Sequence, residues 1–281
     1  MRKQVLAAVI MGVFMAGNGA AQHPPVASVS NTYTYADLAD LALAAPVTAH
    51  VKIRQAQHLS KDLSIGVRPG FVRQLVTADV IALIRASEGV PQSVQYLVDT
   101  PTDSRGKTQK LRKTESLIFA APAGAAKLRL IAPDAQIPWT PAAAQTVRSL
   151  LSEAARPDAA PAIRGISSAF HSPGSIPGEG ETQIFLASPE NKPLSLTVQR
   201  RSGEAPRWFV SQGEVVDEGT SQPQVGSLLW YRIACFVPQR LPASVTSGQS
   251  EDTISALAAD YRIVLDGLGR CERTRKQAVA G

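Results

Sequence analysis

The chain predicts an α+β protein made mainly of antiparallel strands in two sheet- or barrel-like sections, with a linking helix between them and a C-terminal helix. Three observations carry this. Period-two alternation of apolar and polar residues recurs within 47–132 and again within 166–216, broken by Gly, Pro, Asp or Ser. A well-capped helical segment follows each of these stretches. At 44% hydrophobic and 19% charged, the composition is that of a folded globular protein rather than a disordered one. The expected organisation is a signal peptide (1–21), a flexible lead (22–32), a strand-rich N-terminal domain (33–139), a helix and linker (140–165) and a strand-rich C-terminal domain with the terminal helix (166–281).

The first segment has the layout of a secretory signal. Met1-Arg2-Lys3 is a positive head, an apolar run of 13 residues spans 5–17, and Gly19-Ala20-Ala21 supplies small residues before a cut at Gln22. About 20 apolar residues are needed to span a bilayer, so the run is short for an anchor. Removing it takes away Arg2 and Lys3 and leaves 27 basic against 23 acidic residues, a net +4. The expected address is the periplasm or the extracellular space. There an even pair of cysteines, Cys235 and Cys271, is expected to form a disulfide.

Further along, Thr34 is a helix cap with Asp37 three residues on, and Tyr35, Leu38, Leu41 and Ala42 recur at helical spacing up to Pro46. Strands are expected at 47–54, 72–86, 93–99, 115–121 and 127–132, with the polar, basic stretch 100–113 as an extended hairpin loop. Thr140-Pro141 opens the clearest helix, whose apolar face is Val147, Leu150, Leu151 and Ala154, and 156–161 reads as a linker. A second set of strands is expected at 166–171, 182–187, 194–200, 207–216 and 228–237. The last is apolar on both faces and is placed at the centre of its sheet. Ser250, Glu251 and Asp252 start the final helix, and Gly267 and Gly269 end it. The disulfide would then pin this helix to the central strand, leaving Arg270, Arg273, Arg275 and Lys276 as a frayed basic end.

No motif names a reaction. The four histidines, His23, His50, His58 and His171, form no metal-binding spacing; His50 and His58 would share a strand face about 26 Å apart. Nucleophile-elbow and phosphate-loop signatures are absent. Neither a cofactor nor a metal is expected. The basic run of Arg105, Lys107, Lys110, Arg112 and Lys113 has no interleaved aromatics, which argues against nucleic acid and leaves a solvated loop or contact with anionic envelope groups. Trp208, Phe209, Trp230, Tyr231 and Phe236 read as core. The favoured binding candidate is the Gly/Pro-rich loop 173–181, with His171 at its edge and Glu179 and Glu181 around Gly180.

The stretches 169–186 (AFHSPGSIPGEGETQIFL) and 228–238 (LLWYRIACFVP) resemble parts of uncharacterised exported proteins of alphaproteobacteria. That resemblance implies an envelope address and brings no catalytic residue. The expected function is a non-catalytic binding or interaction protein of the cell envelope, its partner an envelope protein or glycan, with no membrane span after signal cleavage. The alternatives are an envelope hydrolase using His171 with a nearby Ser or Glu, and a structural subunit of an envelope assembly.

Overall fold

The first helix begins where its cap predicts. In α1 (Tyr35–Ala44), Thr34 Oγ1 accepts from the Asp37 N–H at 3.2 Å and Asp37 accepts from the Thr34 N–H at 2.9 Å. This and all that follows come from a computed structural model that describes residues 33–190, 192–213 and 221–275. The expected signal segment and lead, the end of the strand at 214–216 and Lys276 lie outside the described residues.

The first sheet contains β1 (Val47–His58), β2 (Phe71–Arg85), β3 (Ser93–Pro101), β4 (Glu115–Pro122), β5 (Leu128–Leu130) and β6 (Gln136–Pro138). Their order is β3-β2-β1-β4-β5, with β6 pairing further along β4. Gln95 also bridges Lys127 in parallel, which brings β5 beside β3. A ring of antiparallel strands closed by a parallel contact between the third and fifth is the Greek-key order of a five-stranded OB barrel. Val51, Val76, Val94, Tyr96, Ile118 and Leu128 fill its interior.

The barrel corrects two expectations. The stretch 100–113 is not a hairpin, because β1 and β2 lie between the two strands it joins. Its Leu111 is buried in the barrel core, while Lys113 N–H donates to Ile53 O. His50 and His58 do not share a face: the β1–β2 register passes over Arg54 of β1 between Ile53 and Gln55, and this single extra residue inverts the alternation between the two histidines. His50 is buried, stacks on Trp139 at 4.5 Å and contacts Glu115 at 2.9 Å, whereas exposed His58 meets Thr108.

Thr140 caps α2 (Pro141–Ala154) through the Ala143 N–H, with Pro141 at the first position. The second sheet is a meander of β7 (Gly165–Pro173), β8 (Gly180–Ala187), β9 (Ser195–Arg200) and β10 (Arg207–Ser211), in the order β10-β9-β8-β7. The segment expected as its central strand is instead α3 (Leu228–Ala234), capped by Ser227 through the Trp230 N–H. A short turn, α4 (Ala243–Thr246), precedes α5 (Glu251–Leu268), which starts at Ser250 and stops at Gly269, where φ is 69°.

One apolar core joins these parts. Leu117 and Phe119 on the outer face of β4 pack with Leu41 of α1, Leu150 of α2, Leu196 of β9 and Leu257 of α5. β4 is therefore buried on both faces, and the described residues gather into one compact unit.

The expected frayed end is anchored. Cys235 and Cys271 are disulfide-bonded, tying the end of α5 to the C-cap of α3 rather than to a strand. With the cysteines 36 positions apart in sequence, the crosslink is worth about 3–4 kcal/mol in the chain-entropy view. Beyond it, Arg273 pairs with Asp40 at 2.7 Å and Arg275 with Asp134 at 2.7 Å. Asp37 accepts from Thr274 N–H, Thr274 hydroxyl and Arg275 N–H. Burial pushes the Asp37 carboxyl up, but hydrogen bonds from Thr274, Thr34 and Arg275 outweigh it and hold it below the usual carboxylate range.

Candidate functional site

The sequence-nominated residues lie on the β7–β8 hairpin, but they do not converge. His171 pairs across the hairpin with Thr182. The His171 Nδ1 lies 2.9 Å from Thr182 Oγ1, and the Thr182 hydroxyl donates to Asp260 Oδ2 of α5 at 2.5 Å. Because the single hydroxyl proton goes to Asp260, His171 Nδ1 must be the donor to Thr182, which leaves Nε2 as acceptor in the neutral ring. Arg200 of β9 completes the chain, with Nε donating to Asp260 Oδ1 at 2.6 Å. Asp260 and Thr182 are fully buried. This network fastens α5 to the sheet, and the hydroxyl that His171 meets among the described residues is already engaged as a donor to a carboxylate.

Glu179 and Glu181 have separate occupations. Glu179 Oε1 accepts from the Ser202 N–H at 3.0 Å, in the turn after β9. Glu181 accepts from the side-chain amides of Gln183 and Gln199, at 2.7 and 3.1 Å. Gly180 is required between them because a Cβ there would lie 3.0 Å from His171 Cε1 and from Ser172 O. Among the described residues, no group of three or more His, Cys, Asp or Glu side chains is placed to hold a metal.

A recess of about 620 Å³ lies elsewhere, on the barrel, where β3 and β5 diverge. Its lining includes Arg73, Leu75, Gln95, Leu97, Asp99 and Arg129. The outward side chains of β2 and β3 form three rungs, Thr77–Gln95, Leu75–Leu97 and Arg73–Asp99. Arg73 clamps Asp99 through two bonds, of 2.7 and 2.9 Å, and Leu97 is 45% exposed. The charged rung bounds an apolar floor, and Lys127 and Arg129 stand on the opposite wall without an ion pair among the described residues.

The backbone matters as much as the side chains here. Gln95 N–H donates to Ala126 O, away from β2. Backbone groups of alternate residues point to the same edge of a strand, so those of Leu97 and Asp99 face the recess. The β3–β5 bridge stops at Gln95, so this edge has no strand partner among the described residues. The signal in the sequence is Leu97 itself, an apolar residue in the wet register of an alternating strand; the recess exists because β5 approaches from 30 residues downstream.

Comparison with protein-family models and with curated proteins returns no match for this chain.

Proposed function

We propose that the protein is a non-catalytic binding module of the cell envelope, and that its barrel takes an extended polypeptide segment of a partner along β3. The observation that carries this is an unpaired strand edge at Leu97 and Asp99 beside an apolar floor of Leu75 and Leu97. Edge N–H and C=O groups at strand spacing are matched by another strand, and a neighbouring apolar pocket supplies side-chain selection. Unpaired Lys127 and Arg129 favour a segment with acidic residues. The lining holds no Trp or Phe, and its one aromatic, Tyr96, is buried with its hydroxyl on Gln136, so the recess offers no stacking surface for bases or sugar rings. By analogy of fold alone, strands two and three form the face on which OB barrels hold ligands.

The envelope address rests on the signal-like residues 1–21 and on the Cys235–Cys271 disulfide, a crosslink favoured outside the reducing cytosol. Among the described residues no helix is long and apolar enough to cross a membrane. The hydrolase alternative gains no support from the geometry, since His171 lines neither the barrel recess nor the recess where β2 meets the helices.

The test uses random peptides displayed on phage and selected on the folded, oxidised protein. Selected peptides should bind wild type, lose affinity modestly with Leu97→Ala and lose it entirely with Leu97→Pro. Proline removes an edge N–H that no internal bond uses, a position where edge strands tolerate it. Failure to select any peptide, or peptides indifferent to Leu97→Pro, rejects the reading.

A further inference from the structure

A second recess, of about 730 Å³, opens where the end of β2 meets α1, α2 and α3. Three arginines line it: Arg85 from β2, Arg148 from α2 and Arg232 from α3. No carboxylate is among the described residues that line it. Glu153, on the same helix as Arg148, has its carboxylate on the Leu228 N–H at 2.8 Å. Arg85, Arg148 and Arg232 have no ion pair among the described residues, so no acid neutralises them there.

Two details make the cluster a built feature. Arg85 is held in place by a bond from Nη1 to Ala42 O at 3.2 Å. The Nε of Arg232 is buried and has no hydrogen-bond partner. A buried donor without an acceptor costs roughly 1–3 kcal/mol, and like charges gathered in one cleft repel. Both costs fall when an anion with several oxygens enters. Guanidinium groups match the oxygens of phosphate through paired N–H donors. The remaining wall, with Leu43, Leu83 and Leu151, is apolar, and Ser152 adds a hydroxyl.

We infer that this recess is an anion site for a phosphate ester that carries an apolar portion, independent of the peptide groove on the barrel. The phosphate can belong to a free metabolite or to a lipid headgroup, and the experiment separates the two. Calorimetry with inorganic pyrophosphate reads the first source; co-sedimentation with phosphatidylglycerol vesicles, against phosphatidylcholine vesicles, reads the second. Arg148→Gln changes an exposed side chain and leaves the fold intact by circular dichroism. It should weaken binding about tenfold, the scale of one charge-assisted hydrogen bond. Arg85→Gln is the second variant, with a loss of similar size. Arg112→Gln in the basic loop is the control and should leave binding unchanged.

Pyrophosphate binding that depends on Arg148 and Arg85 supports a free phosphate ligand. Binding to phosphatidylglycerol alone, with the same dependence, supports a headgroup. Absence of both, or binding that Arg148→Gln and Arg85→Gln leave unchanged, overturns the inference and makes the arginines a solvated cluster at helix ends.

Discussion

The barrel of residues 47–138 and the meander of residues 165–211 each bury one apolar face, but they treat the other face differently. The barrel turns its apolar residues inward and leaves an outer surface on which Leu97 is 45% and Ile81 49% exposed. The meander stays open and is covered by α5, and the polar residues along that contact are bonded to one another through Thr182, Asp260 and Arg200. Closure frees an outer face for ligands, because the barrel's own strands hold it together. Covering commits a face to the fold. The residues nominated from sequence, His171, Glu179 and Glu181, fell on the committed sheet, while the two recesses proposed to bind ligands touch the barrel.

The sharpest way to test this contrast is to break the polar contact under α5. Arg200→Ala leaves the fully buried Asp260 carboxylate, among the described residues, with the Thr182 hydroxyl as its hydrogen-bond donor and His171 Nδ1 at 3.8 Å. Stripping one partner from a buried pair costs about 3 kcal/mol or more. Urea denaturation should show the loss as a lower midpoint. A change below about 1 kcal/mol would mean that apolar packing alone holds α5 and that the network is incidental.

How much of this was readable in the chain follows from the range of the interactions. The caps at Thr34, Thr140 and Ser250 were legible because each is made within three residues. The alternation of β3 was legible because its two faces have different environments, and the disulfide because only two cysteines exist. Residues 228–237 were misread because a short run that is apolar all round fits a buried helix as well as a central strand. Leu228, Trp230, Tyr231, Ile233 and Ala234 are buried on all sides of α3, between α1, α2 and α5. The anchoring of Arg273 and Arg275 depends on Asp40 and Asp134, which lie 233 and 141 residues away. Neither recess was legible, since each is assembled from elements that meet only in the fold. Leu75 and Leu97 could be read as apolar residues on a wet face, but β5 as their opposite wall could not.

A smaller effect probes how closely α5 lies on its sheet. A Cβ at Gly267 would collide with Trp208 Nε1 of β10, with Cε2 and Cζ2 at 2.7 and 2.8 Å. Trp208 is buried and has little room to retreat. Gly267→Ala gains helix propensity worth about 0.8–1.0 kcal/mol, yet overpacking of this kind costs roughly 1–3 kcal/mol. A net destabilisation of about 1 kcal/mol in thermal unfolding is expected. A more stable variant would mean that α5 can lift from the meander, and the distinction between the covered and the closed sheet would weaken.

The smallest effect on stability is expected on the barrel's outer face, where the largest effect on binding is expected. Leu97 packs across the strand pair on Leu75 but stays 45% exposed. Such cross-strand contacts are worth about 0.2–1 kcal/mol, so Leu97→Ala should lower stability by about 0.5 kcal/mol. The matching position in the meander gives the scale. Leu196 is fully buried between β9 and the helices, and Leu196→Ala should cost about 2–5 kcal/mol. The two leucines are chemically identical and both lie within strands, so the difference reports mainly what covers each sheet. Equal losses in chemical denaturation would mean that the outer face of β3 is structural, and the recess would lose its standing as a binding surface. A small loss at Leu97 together with impaired peptide capture would separate binding from folding at a single side chain.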